Sequence, residues 1–241
     1  MEVFPKIKRM GEGAILVEFE PGITPETLAK VLKLKKFLQK KLAKQKVEVI
    51  NTYNSLLINY IANIESAYSE VYDLLGEFLG ANIDEIIESK LFHIPVCYDD
   101  VFGLDLEEIS RVKKLPKEEM IRLHSSVDYL VYFTGFLPGF LYLGGLPQKL
   151  HFSRRSHPRQ KVPKGAVGIG EKQTGIYPQS SPGGWNIIGN SPVKLFDPAA
   201  DKPCPISAGD RLRFYQVDLE EHQRISELVE RGEFRIKSEK L

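Results

Sequence analysis

Apolar and polar positions change period several times along the first hundred residues, and each change predicts an element. Short apolar runs at 7–10 and 14–19 flank Gly11-Glu12-Gly13, the pattern of a hairpin with a glycine turn. Thr24-Pro25-Glu26 then supplies an N-cap, a proline at the first helical position and an early acid. The helix it predicts runs to about residue 43, with Leu28, Val31, Leu32, Leu34, Phe37, Leu38 and Leu42 on one broad apolar face. The lysines of the remaining face (30, 33, 35, 36, 40, 41 and 44) read as solvated. Strand patterns follow at 47–50 and 56–61, a second helix at 65–79 through Ala67, Val71, Leu74, Leu75 and Phe78, and a strand at 91–98. This order predicts a small antiparallel sheet covered on one face by two helices.

Beyond residue 98 the pattern predicts two short helices, at 105–111 and 116–126. In the second, His124 lies beside Met120, Leu123 and Val127, where a lone histidine reads first as a core residue. Strands are expected at 127–134, 166–169, 185–190, 193–196 and 211–215, then a helix at 218–229 and a frayed end at 237–241. Many short strands with little helix between them predict a closed or nearly closed antiparallel barrel. The fold expected is therefore α+β. Residues 1–90 form a small α/β sandwich, and residues 91–241 form a β-barrel domain with a C-terminal helix.

Composition changes this picture in one place. The 241 residues carry a formal net charge of +1, which predicts no general attraction to nucleic acid or membrane. Two cysteines, without a CxxC or Cys/His spacing, exclude a disulfide framework and a recognisable metal site. No run approaches the roughly 18 apolar residues of a spanning helix, and a cytoplasmic location is expected. Between residues 129 and 196, however, lie eleven of the nineteen glycines and eight Lys or Arg against a single acid, Glu171. An anionic ligand is expected there. Arg154, Arg155 and Arg159 are forks suited to carboxylate or phosphate, on a loop stiffened by Pro158 and Pro163, with Lys161 close in sequence. Gln173, Thr174 and Tyr177 add neutral donors and acceptors, and the Ser181 hydroxyl with the amides of Gly183 and Gly184 offers an oxyanion nest. A phosphate-binding loop, a dinucleotide fingerprint and a GxSxG nucleophile elbow are all missing from the sequence.

Taken together, GFLPGFLYLGGLP (135–147), the RRxxPR run from Arg154, VPxG from Val162, QTGIYP (173–178) and SPGGW (181–185) resemble the 5-oxoprolinase B-subunit family, also called the kinase A inhibitor or allophanate hydrolase subunit 1 family. The resemblance implies a cyclophilin-like barrel and a subunit that works with subunits A and C in ATP-dependent opening of 5-oxo-L-proline to L-glutamate, inactive alone. A lactam is a stable amide, and phosphorylating its carbonyl oxygen creates a leaving group and an electrophile. ATP and Mg²⁺ are implied, at a site shared with a partner subunit. The family also implies two alternatives: inhibition of a sensor histidine kinase, and a carboxyltransferase-like part in urea and allophanate metabolism. Carried onto this sequence, it gives His124, Arg155, Gln173 and Tyr177 catalytic positions. Arg154, Arg159, Thr174, Ser181, Gly183, Gly184 and Trp185 become substrate- or anion-binding positions, and Lys161 joins them as a basic residue of the same run. Glu171 stands where a small residue is usual, and Asn190 where an arginine is common.

Overall fold

The computed structural model describes residues 4–61, 67–80 and 88–241, which form two compact units, Met1–Glu88 and Ser89–Leu241. In the first, strands β1 (Lys6–Met10), β2 (Ala14–Glu18), β3 (Val47–Asn51) and β4 (Ser55–Tyr60) make an antiparallel sheet in the order β1-β2-β4-β3. Helices α1 (Pro25–Lys41) and α2 (Ala67–Gly80) cover one face. The α1 start is the expected one: Thr24 Oγ1 accepts from the Thr27 amide at 3.1 Å, with Pro25 in the first turn. Val31, Leu34 and Leu38 pack with Val17, Leu56 and Ile58, and burial of such a side chain contributes about 1.5–3 kcal/mol. One lysine leaves the expected solvated face. Lys35 is half-buried and donates to Asn51 Oδ1 at 2.8 Å, and burial lowers its pKa. Residues 65 and 66 of the expected second helix lie outside the described residues.

The second unit holds β5 (Lys90–Cys97), α3 (Leu106–Lys113), α4 (Lys117–Ser125), β6 (Asp128–Thr134), β7 (Leu141–Gly144), β8 (Arg159–Val162), β9 (Ala166–Gly170) and β10 (Gln173–Ile176). It continues with β11 (Ser181–Gly183), β12 (Asn186–Asn190), β13 (Arg211–Val217), α5 (Leu219–Glu230) and β14 (Lys237–Lys240). Seven strands close a barrel in the order β12-β9-β10-β7-β6-β13-β5, sealed by Asn190 pairing with Cys97. Its core includes Ile94, Val96, Tyr129, Val131, Leu143, Val167, Ile169 and Phe214. A separate two-stranded ladder joins β8 and β11.

Three expectations are corrected here. The barrel is not wholly antiparallel, because β13 runs parallel to β5 over seven paired positions from Arg211↔Leu91 to Val217↔Cys97. The many intervening elements supply the long crossover that a parallel pair needs. The stretch 193–196 keeps its alternation, with Val193 and Leu195 buried, yet forms no strand. Side-chain period reports which face is covered, not whether a neighbouring backbone is there to pair. Lys237–Lys240, expected to fray, is instead β14, paired antiparallel with Lys90–His93 of β5 and joined by a 3.1 Å contact between His93 Nε2 and Glu239 Oε1. No helix among the described residues is long and apolar enough to cross a membrane.

Candidate functional site

The expected site residues separate onto the two faces of one strand. Successive side chains of β10 point to opposite sides. Thr174 and Ile176 face the barrel core, whereas Gln173, Gly175 and, just beyond the strand, Tyr177 face an outer aromatic cluster. A Cβ at Gly175 would stand 3.1 Å from Trp185 and 3.3 Å from Phe140, which places those rings against the outer face. The QTGIYP run is thus a strand that continues toward Tyr177. The turn lies before it, at Glu171, whose φ of +56° is the left-handed conformation favouring small residues.

On the inner side, His124 is fully buried. Its Nε2 lies 2.9 Å from Thr174 Oγ1, and its Nδ1 lies 2.7 Å from the Tyr98 hydroxyl. Thr174 spends its one proton on the Gly168 carbonyl at 3.0 Å, so its oxygen accepts from His124 Nε2–H, leaving Nδ1 to accept from Tyr98. The ring stacks on Phe214, with centroids 4.6 Å apart, and burial lowers its pKa to about 3. A neutral ring with both nitrogens bonded and no exposed surface has no route to a substrate. The catalytic assignment of His124 is corrected to a core linker between α4, Tyr98 just beyond β5, and β10, and Thr174 belongs to the same inner network rather than to an anion site.

On the outer side, Phe140, Tyr142, Tyr177 and Trp185 form an edge-to-face cluster, with ring centroids 5.1–5.5 Å from Phe140. Two glycines let it close. A Cβ at Gly170 would come within 2.5 Å of Trp185 Nε1, and one at Gly183 would overlap the Tyr177 hydroxyl. The Arg154 guanidinium lies 5.9 Å over the Trp185 ring. It has no carboxylate partner among the described residues. Burial raises the pKa of Tyr177 and of Tyr142, and the positive charge of Arg154 partly offsets both shifts. Phe136, exposed and at φ +65°, stands edge-on to Phe140 and Tyr177 at the rim. Gln173 is half-buried and Lys161 exposed.

Arg155 and Arg159 do something else. Asp105, only 2% exposed, accepts from Arg159 Nη1 and Nη2 at 2.8 and 2.7 Å, from Arg155 Nη1 at 2.8 Å and from the Ile187 amide at 2.6 Å. This clamp ties the start of α3 to β12 and to the arginine loop. The expectation of three arginines sharing an exposed anion site is corrected: two converge on a buried acid from outside the basic region, and Arg154 alone keeps an uncommitted guanidinium. Asp105 lies fifty residues before Arg155, and no motif spacing links them. Of the nest expected at Ser181, Gly183 and Gly184, the serine hydroxyl is turned to the adjacent backbone. Ser181 donates to the Pro182 carbonyl at 3.1 Å, Ser181 and Gly183 sit in the ladder with β8, and the Gly184 carbonyl accepts from the Arg155 amide. Asn190, where an arginine is common, uses both ends of its amide: Nδ2 donates to the Lys164 carbonyl at 2.9 Å, and Oδ1 meets His222 Nε2 at 3.0 Å.

Residues 5–206 match the family model described as carboxyltransferase domain, subdomain C and D. The chain is 40% identical over 205 residues to the 5-oxoprolinase B subunit of Escherichia coli O157:H7, covering 85% of this chain and 93% of that one. It is 32% identical over 237 residues to the 5-oxoprolinase B subunit of Bacillus subtilis strain 168, covering 94% and 99%. The crystal structure of TTHA0988 superposes with a TM-score of 0.74 at 32% identity; the match covers 85% of this chain but 40% of that longer one.

Proposed function

The chain belongs to the 5-oxoprolinase B-subunit family, and from that premise we propose that it is the B subunit of an ATP-dependent 5-oxoprolinase, opening 5-oxo-L-proline to L-glutamate together with subunits A and C. The observation that carries the reading is identity of 40% and 32% to two proteins of that name, across more than nine-tenths of the length of each.

In this proposal the chain contributes one half of a shared surface. Arg154, whose amide donates to the Glu171 carboxylate at 3.4 Å while its guanidinium lies over Trp185 with no carboxylate partner among the described residues, meets an anionic group of the substrate, and the aromatic wall with Gln173 orients the ring beside it. Among the described residues no group of three His, Cys, Asp or Glu side chains is placed to hold a metal ion. An Mg²⁺ ion bound with ATP takes only one or two carboxylates beside the phosphates, and the proposal places the ATP and Mg²⁺ site where this chain meets a partner, most directly the C subunit. Inactivity of the isolated chain follows from that division.

The test combines this chain with its cognate subunits A and C, ATP, Mg²⁺ and 5-oxoproline, and follows glutamate release. Glutamate is expected only from the full set. Equal turnover by subunits A and C without this chain overturns the proposal.

A further inference from the structure

A groove of about 690 Å³ opens on the barrel unit between the 194–205 loop and the α5–β14 connection, and it shares no lining residue with the arginine and aromatic face. Its floor is apolar: Phe92, Val229, Phe234 and Ile236. Its rim carries five cations, Lys90, Lys194, Lys202, Arg231 and Arg235, against two carboxylates, Asp197 and Glu230. Two of the cations are already neutralised, Lys194 by Asp197 at 2.7 Å and Arg231 by Glu233 at 3.2 Å. The other three have no carboxylate partner among the described residues. Lys202 Nζ donates only to the Pro205 carbonyl at 2.9 Å, and Arg235 Nη1 reaches the Gly232 carbonyl at 3.2 Å.

This combination selects its ligand by exclusion. A small hydrophilic anion such as phosphate would leave the apolar floor wet, and a neutral hydrocarbon would leave three cations facing only the one rim carboxylate of Glu230. The volume lies within the roughly 300–1,000 Å³ of small-molecule sites. We propose that the groove binds an amphiphilic anion, an aryl or medium-chain alkyl carboxylate. Its hydrocarbon lies on Phe92, Phe234 and Ile236, and its head meets Lys90, Lys202 and Arg235. Such a ligand bridges the 194–205 loop to β14. The groove is therefore a second site on the chain, independent of the proposed reaction.

The experiment titrates the full chain with 4-phenylbutyrate and with its neutral counterpart 4-phenylbutyramide by calorimetry, and maps amide shifts by NMR. Saturable one-to-one binding of the carboxylate is expected, with shifts clustered at 90–92, 194–205 and 229–238. The amide should bind about tenfold more weakly, the order of one charge-assisted contact. A Lys90→Ala, Arg235→Ala double variant should lose a similar factor without a change in melting temperature. If that variant does not fold, Lys202→Ala carries the same comparison. No saturation, equal affinity for acid and amide, shifts centred elsewhere, or affinity unchanged in the folded rim variants would each overturn the proposal.

Discussion

Asp105 and Arg154 show how differently two charged residues of one region behave. Asp105 is buried beneath two guanidiniums that keep 31% and 23% of their side-chain surface, so it holds the arginine loop to α3 and β12. Asp105→Asn keeps the shape but removes the counter-charge. The expected loss is about 3 kcal/mol, the low end for breaking a buried pair because both arginines retain some water. Urea denaturation of the isolated chain checks it. Arg155→Ala is expected to destabilise as well, since it also removes a partner of Asp105. Arg154→Ala has no such anchor to lose. It should leave the denaturation midpoint unchanged while lowering kcat/KM of the reconstituted enzyme by about one to two decades, on the scale of one charged hydrogen bond. His124 makes a prediction about pH. Its folded pKa is about 3 against an ordinary 6.5, so the unfolded chain takes up a proton below pH 6.5 that the folded chain refuses. The stabilisation is complete above pH 6.5 and falls toward pH 3 by about 1.4 kcal/mol per pH unit. His124→Gln should remove one proton from that slope, whatever its effect on stability at neutral pH.

At the scale of elements, β10 is the partition of the molecule. Because neighbouring side chains on a strand point to opposite faces, adjacent Gln173 and Thr174 serve different tasks, one facing the aromatic wall and the other completing the buried His124 network. The motif spacing made both look like ligand groups, and only the strand's pleat separated them. The edge strand β14 carries the second prediction of fold. Its ladder to Lys90–His93 lies outside the closed ring of seven strands, so deleting residues 237–241 should raise hydrogen exchange at residues 90–93 and leave β6, β7, β9 and β10 protected. Loss of protection throughout the barrel would show that β14 holds the ring itself. The alternation of charge in its sequence, Lys-Ser-Glu-Lys, gave no apolar signal for a strand, because an exposed edge has no core face to satisfy.

At the scale of the whole molecule, the described residues form two units, each with its own apolar cluster. Residues 89–241 expressed alone are expected to unfold in one cooperative thermal transition, since the ring of seven strands closes within that segment. A fragment without a cooperative transition would show that its core depends on residues 1–88. The groove beside β14 and the surface around Arg154 both lie in this second unit, on separate sets of residues.

The sequence by itself determined the elements with strong periodicity or punctuation: the capped helix from Thr24, the four-stranded antiparallel sheet, the helix after Asp218, and a barrel of short strands rich in glycine. Local physics decides these, through side-chain alternation, N-capping and glycine turns. It also marked the basic, glycine-rich region and the motifs that place the chain in its family. Tertiary structure decided what each charged or polar group in that region faces. The sequence has no local signal for Asp105 meeting Arg155 and Arg159, for His124 finding Thr174 and Tyr98, for β13 lying parallel to β5, or for the tail pairing as β14. These pairings join residues tens of positions or more apart. Their partners are chosen by barrel closure and by the need of buried polar groups for a hydrogen bond, neither of which leaves a period along the chain.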